Sequence, residues 1–308
     1  MKILLASPRG FCAGVERAIR IVELALEKFG PPIYVRHEIV HNRSVVDSLR
    51  ERGVVFVDRP SAAPPGSVLI FSAHGVSPAI RREAETTDLR VIDATCPLVT
   101  KVHMEAKRFA AADKEILLIG HKGHVEVEGT MGEAPSRTRL VETVADAEEI
   151  EVRDPSALAV LTQTTLSVDD TAEVIDALRK RFPEISAPSK SDICYATQNR
   201  QDAVKSLAKA CDLVIVVGSE NSSNGMRLVE TARRSGVRVE RVDGPAEIDA
   251  GWLGDVSRIG VTAGAAVPED LVGEVIEALA QAAGESVVVD SMPVVDEKMH
   301  FQLPVALR

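Results

Sequence analysis

Val91-Ile92-Asp93-Ala94-Thr95-Cys96-Pro97-Leu98-Val99 is the stretch that decides how the chain folds. A short β-branched run ends in Thr-Cys, and a helical pattern begins at once. Pro97 suits a first helical turn, where a missing N–H costs nothing. Cys96 then falls at or near the N-cap. Unpaired backbone N–H groups and the positive end of the helix dipole favour a thiolate there. Such a cysteine reads as a ligand or a nucleophile rather than as an inert core residue.

The arrangement occurs twice more. Ile3-Leu4-Leu5-Ala6 leads to Cys12 and a helical stretch over Val15–Lys28. Ser191-Asp192-Ile193 leads to Cys194 and a helical stretch over Tyr195–Ala210. The interval from Cys12 to Cys96 is close to that from Cys96 to Cys194. After each cysteine come a helix, an apolar strand and a polar loop. These loops place His41, His124 and Ser223 at almost the same distance past their cysteines. A second strand and polar turn follow in each unit. They are Val68–Phe71 before Ser72-Ala73-His74-Gly75, Leu158–Leu161 before Thr162-Gln163-Thr164-Thr165, and Ile259–Val261 before Thr262-Ala263-Gly264. Counted from the cysteines, His74, Thr164 and Thr262 correspond, the first falling somewhat short of the other two. Even spacing with equal contents is the mark of an internal repeat. It predicts three α/β units, 1–95, 96–193 and 194–283, and a tail, 284–308, packed on another unit. Strands alternating with helices imply mainly parallel sheets covered on both faces.

Composition narrows the class. The 308 residues are 45% hydrophobic and 27% charged, as in an ordinary globular chain. No apolar run approaches the roughly 20 residues of a membrane span. Ile3–Ala6 is shorter than the roughly 7–15 residues of a secretory core. A cytoplasmic location is expected, where disulfides are rare, so four scattered cysteines point to metal, cluster or catalysis. With 36 basic against 46 acidic residues and 3% aromatics, neither a basic face nor stacking platforms for nucleic acid are indicated. An anionic ligand must be bound by local groups.

Ligands of open parallel α/β sheets bind beyond the carboxyl ends of the strands. Three units closing round a pseudo-threefold axis would bring Cys12, Cys96 and Cys194 together with six polar turns. Three thiolates can hold an iron–sulfur cluster with one iron left open, since full ligation of a cubane takes four. A three-thiolate zinc site is the rival. Cys211 breaks the pattern and reads as a buried small hydrophobe. His41, His74 and His124 offer donors to an anion. Ser222, Ser223 and Asn224 precede a helix expected to start near Gly225, which makes a phosphate cradle. Glu126, two residues past His124, reads as a proton donor. Thr164 and Thr165 offer hydroxyls that orient a substrate alcohol. His37, His103, His121 and His300 lack support from the repeat and read as surface or supporting residues.

These residues sit in motifs that resemble one family over nearly the whole chain. Phe11-Cys12-Ala13-Gly14-Val15, Ile39-Val40-His41-Asn42, Ser72-Ala73-His74-Gly75, Asp93-Ala94-Thr95-Cys96-Pro97, Gly123-His124-Val125-Glu126, Thr162-Gln163-Thr164-Thr165, Asp192-Ile193-Cys194-Tyr195 and Asn221-Ser222-Ser223-Asn224 are similar to those of the 4-hydroxy-3-methylbut-2-enyl diphosphate reductases, the IspH/LytB family. The resemblance implies a trefoil of three α/β units. It implies reductive dehydroxylation of an allylic alcohol diphosphate to isopentenyl and dimethylallyl diphosphates, the last step of the non-mevalonate isoprenoid pathway. It further implies a [4Fe-4S] cluster on Cys12, Cys96 and Cys194, whose open iron takes the substrate hydroxyl. Glu126 would deliver protons and Thr164 would hydrogen-bond the alcohol. His41, His74, His124, Ser222, Ser223 and Asn224 would hold the diphosphate, and reduced ferredoxin or flavodoxin would supply electrons. One position departs from the family pattern. A diphosphate-binding serine is replaced by Ala266 in Thr262-Ala263-Gly264-Ala265-Ala266, which leaves only its backbone N–H for that contact. Read from the residues alone, an iron–sulfur hydro-lyase of the quinolinate-synthase kind and a non-catalytic redox sensor remain alternatives.

Overall fold

A computed structural model describes residues 1–284 and 287–307. Residues 285, 286 and 308 of the expected tail lie outside the described residues. In chain order the elements are β1 (Lys2–Leu5), α1 (Ala13–Phe29), β2 (Ile33–Arg36), α2 (Arg43–Glu51), β3 (Val54–Val57), β4 (Val68–Phe71), α3 (Pro78–Thr86), β5 (Arg90–Asp93) and α4 (Pro97–Ala111). Then come β6 (Glu115–Ile119), α5 (Val125–Met131), β7 (Thr138–Val141), α6 (Val144–Glu149), β8 (Leu158–Thr162), α7 (Val168–Arg181) and α8 (Tyr195–Ala208). The last are β9 (Leu213–Val217), α9 (Ser223–Arg234), β10 (Arg238–Val242), β11 (Arg258–Ala263), α10 (Glu269–Ala283) and β12 (Val288–Ser291). The strands form three sheets, as the repeat predicts, and every named strand pairing is parallel.

The chain separates into two compact units. One holds residues 1–15, 41–47 and 195–300, with the sheet ordered β10-β9-β11-β1-β12. Strand β9, Leu213-Val214-Ile215-Val216-Val217, is buried throughout. Its side chains alternate between two cores. Leu213, Ile215 and Val217 join Leu271, Val275 and Leu279 of α10. Val214 and Val216 join Val204 and Leu207 of α8 and Leu228 and Val229 of α9. This alternation turns an unbroken apolar run into a strand covered on both faces. Each large aliphatic side chain so buried contributes about 1.5–3 kcal/mol.

The other unit holds residues 16–40, 48–194 and 301–308 and carries two sheets, ordered β3-β2-β4-β5 and β7-β6-β8. In the second sheet Leu117, Leu158 and Val160 pack on Val174 and Leu178 of α7. Ile116, Leu118 and Leu161 face Val102, Ala106 and Phe109 of α4. Among the described residues no helix is long and apolar enough to cross a membrane.

The sheets group the strands in a way that spacing alone conceals. Strand β1, which leads to Cys12, lies beside β11 and so belongs with β9–β11. Strand β5, which leads to Cys96, lies beside β4. Before Cys194, Ser186 bridges to Ala159 of β8. Each cysteine therefore follows a segment paired to its sheet and directly precedes a helix. The third repeat is completed by the N-terminal strand. Beyond it, the C-terminal segment adds β12 at the sheet edge, in parallel register with β1 from Lys2↔Val288 to Leu5↔Ser291.

Candidate active site

All three repeat cysteines stand one residue before a helix: Cys12 before α1, Cys96 before α4 and Cys194 before α8. Cys96 is the N-cap with Pro97 at the first helical position, as its sequence context predicts. Each backbone N–H is held in the same way. Cys12 donates to the Ala265 carbonyl at 3.2 Å, Cys96 to Ala73 at 2.9 Å and Cys194 to Thr164 at 3.0 Å. Those acceptors lie two residues past the ends of β11, β4 and β8 respectively. The repeat is thus reproduced at single hydrogen bonds. It also corrects the correspondence counted from the cysteines. Ala73, Thr164 and Ala265 are equivalent, so His74, Thr165 and Ala266 stand in the next equivalent position. The count from Cys12 fails because each turn belongs to the cysteine that follows it in its sheet.

The second set of turns shows a similar adjustment. Asn42, His124 and Ser222 directly precede α2, α5 and α9. The Asn42 carboxamide oxygen accepts from the Val45 N–H at 3.0 Å. His124 Nδ1 accepts from the Glu126 N–H at 3.2 Å, and Ser222 Oγ from the Gly225 N–H at 3.2 Å. His41 is one residue ahead of its cap, and Ser223 one residue past its own. Helix α9 starts at Ser223 rather than near Gly225, because the Ser222 cap places Ser223 and Asn224 in its first turn.

Within the larger unit the structure brings His74, His124, Glu126, Thr164 and Cys194 into one connected set. The His74 and His124 ring centroids are 6.0 Å apart and nearly perpendicular. A ring that accepts at Nδ1 carries its proton on Nε2, so the α5 cap turns His124 into an N–H donor on its far side. Glu126, only 3% exposed, accepts the Thr164 N–H at 2.6 Å and the Thr164 hydroxyl at 3.1 Å. The carbonyl of the same Thr164 accepts from Cys194. One residue therefore joins the buried acid to the cysteine turn. Burial raises the Glu126 carboxyl to about 7, with Asp192 adding in the same direction and the two Thr164 hydrogen bonds opposing. A buried carboxyl poised near neutrality is suited to give up a proton at working pH. Thr165 Oγ1 accepts from Gln163 at 3.0 Å, and Gln163 Oε1 accepts the His121 N–H at 3.1 Å. Sequence reading does not single out Gln163 as a group ordering these two turns. Its place in Thr162-Gln163-Thr164-Thr165 is the available signal.

The smaller unit carries Cys12, His41, Ser222, Ser223, Asn224 and Ala266. The Asn224 carboxamide oxygen accepts the Ala265 N–H at 2.8 Å, and its nitrogen donates to Thr197 Oγ1 at 3.1 Å. These bonds tie α9 to the turn that holds Cys12. Ala266 is buried, and its N–H meets no protein acceptor among the described residues. Burial raises the Cys12 thiol above its ordinary value, while the Arg200 charge and the N–H groups of Val15 and Gly14 act in the opposite direction. Cys211 behaves as a core residue. It packs with the α8 and α9 cluster, its sulfur 3.2 Å from where a Cβ on Gly260 would lie, and burial lifts its thiol to about 11. Cys211→Ser should accordingly leave iron content and turnover close to wild type, measured together on one preparation.

Comparison with known proteins bears on this geometry. Residues 3–280 match the family model described as LytB protein. The chain belongs to the LytB family. It is 60% identical over 306 residues to the 4-hydroxy-3-methylbut-2-enyl diphosphate reductase of Bordetella pertussis, covering 99% of this chain and 94% of that one. It is 58% identical over 308 residues to the enzyme of that name from Azoarcus, covering 100% and 98%. Among solved structures it resembles the E-1-hydroxy-2-methyl-but-2-enyl-4-diphosphate reductase from Plasmodium falciparum. That likeness has a TM-score of 0.94 at 39% identity, over 100% of this chain and 96% of that chain. The three parallel sheets and the cysteine turns are thus a LytB fold in which Ala266 occupies the position next to the Cys12-holding carbonyl.

Proposed function

We propose that this LytB chain reduces (E)-4-hydroxy-3-methylbut-2-enyl diphosphate to isopentenyl and dimethylallyl diphosphates, closing the non-mevalonate isoprenoid pathway. The observation that carries the reading is the Glu126–Thr164–Cys194 connection. It joins a buried, protonatable carboxyl to a cysteine turn through one residue. Removal of a hydroxyl as water consumes two electrons and two protons, and in this reading Glu126 delivers a proton to the leaving oxygen. Thr164 orients the alcohol, and Thr165 lines the same turn. His41, His74, His124, Ser222, Ser223 and Asn224 hold the diphosphate, with His124 donating from Nε2 and the N-terminus of α9 adding backbone donors.

Cys12, Cys96 and Cys194 are the residues that would hold the iron–sulfur cluster. The chemistry of the donor set fits it: three thiols in one repeated backbone setting, each ahead of a helix. A [4Fe-4S] cluster held by these three cysteines would supply single electrons and an iron able to take the substrate hydroxyl. The electrons come from a small reduced carrier, ferredoxin or flavodoxin, in the cytoplasm.

The test is product analysis. Cluster-replete protein, incubated without oxygen with the allylic diphosphate and a reduced viologen dye, should yield both five-carbon diphosphates. A hydrated or dehydrated alcohol without reduction, or unchanged substrate, would refute the proposal.

Ala266 gives a graded test of the anion site. A hydrogen bond to a charged group contributes about 1.5–3 kcal/mol, and a water bridging the same gap would supply part of it. Ala266→Ser should tighten binding by at most about tenfold with little change in kcat, read by calorimetry and steady-state kinetics. Unchanged or weaker binding would show that backbone donors such as the Ala266 N–H already fill that role.

A further inference from the structure

The C-terminal segment follows the N-terminal strand and the loop beyond it. Val288 N–H donates to the Met1 carbonyl at 3.1 Å, Met292 to Leu5 at 2.9 Å and Val295 to Ser7 Oγ at 3.0 Å. It then reaches Arg200, a fully buried residue. Arg200 Nε and Nη2 donate to the Gly10 carbonyl at 3.1 and 2.8 Å, and Nη2 donates to Phe11 at 3.2 Å. Its Nη1 donates to Ala196 and to Glu297, both at 3.0 Å. Asn199 also donates to Glu297, at 3.0 Å. The guanidinium is thereby fixed on the two carbonyls that precede Cys12. Among the described residues, its carboxylate partner comes from the far end of the chain.

We propose that Glu297 is a positioning residue that holds Arg200 on the Gly10–Phe11 turn and sets the electrostatic potential at Cys12. A buried cation is weakly screened, so its net effect on a nearby centre depends on the counter-charge beside it. A cation next to a cluster ligand favours the reduced, more negative state. A carboxylate paired with that cation offsets the effect. The C-terminal segment is on this account part of the redox centre, although it brings no ligand to it. The inference rests on Cys12 being a cluster ligand.

The experiment uses reconstituted full-length protein, with iron and sulfide counted and the one-electron midpoint potential measured by spectroscopic titration. Glu297→Gln keeps the hydrogen-bonding shape and removes the charge. It should retain iron and shift the potential upward, by up to tenfold in the one-electron equilibrium, about 59 mV. Glu297→Asp keeps the charge and should stay close to wild type. An unshifted potential in iron-replete Glu297→Gln overturns the inference. So does an equal shift or an equal loss of iron in both variants, because charge would then not be the determinant. Loss of iron in Glu297→Gln alone overturns it as well, because the carboxylate would then retain the cluster rather than set its potential. Cys12→Ser is the control. If it keeps a normal cluster, the assignment of Cys12 has failed, which is a different result from a normal Glu297→Gln beside a defective Cys12→Ser.

Discussion

Replacing Cys12, Cys96 or Cys194 by serine should abolish turnover and strip or alter the bound cluster in each case. The three thiols share one backbone setting, with the N–H fixed on a carbonyl two residues past a strand end and a helix beginning at the next residue. Equivalent settings predict equivalent losses. Serine is close in size, so the folded core should survive, with circular dichroism and thermal midpoint near wild type. Iron and sulfide per chain, measured with the absorption spectrum, separate ligand loss from misfolding. Retained iron and turnover in any one of the three would remove that residue from the site.

Glu126→Gln should lower kcat by roughly 10²–10⁴, the usual share of general acid catalysis, while iron and substrate affinity stay near wild type. Glutamine keeps the shape but has no proton to give. The pH profile offers an independent reading. With the carboxyl raised to about 7, Glu126 holds its proton below that value and loses it above. Wild-type kcat should therefore fall as pH rises through about 7, and the residual activity of Glu126→Gln should lack that limb. Thr164→Val removes the hydroxyl bond to Glu126 but leaves the backbone one, so the limb should move upward, because a hydrogen bond that favours the charged form has gone. A cluster-replete Glu126→Gln with wild-type kcat would exclude the residue from proton delivery.

Much of this is legible in the chain itself. Cys96-Pro97 announces an N-cap, and the alternating apolar strands announce parallel sheets. Recurrence at Cys12 and Cys194 announces a repeat. The phase of the repeat is not legible, because β1 at the start of the chain pairs with β11 near its end, and sequence order hides such closure. Counting from the cysteines matches His74 to Thr164 for that reason, whereas the hydrogen bonds match it to Thr165. The start of α9 is hidden because Ser-Ser-Asn reads as loop until the Ser222 hydroxyl is seen on the Gly225 N–H. Arg200 and Glu297 give no local signal. A mid-helix arginine and a glutamate in a polar tail are ordinary until folding removes the arginine from water. Asn224 reads in the sequence as a ligand to the anion, and in the structure its carboxamide oxygen is engaged with the Ala265 N–H. That bond also ties Asn224 to the turn that holds Cys12.

The most direct test of the account is electron stoichiometry. Reduced dye consumed should be counted against five-carbon diphosphate formed, without oxygen, by cluster-replete protein. The account predicts two electrons for each molecule of isopentenyl or dimethylallyl diphosphate. Substrate conversion with no dye consumed would contradict it.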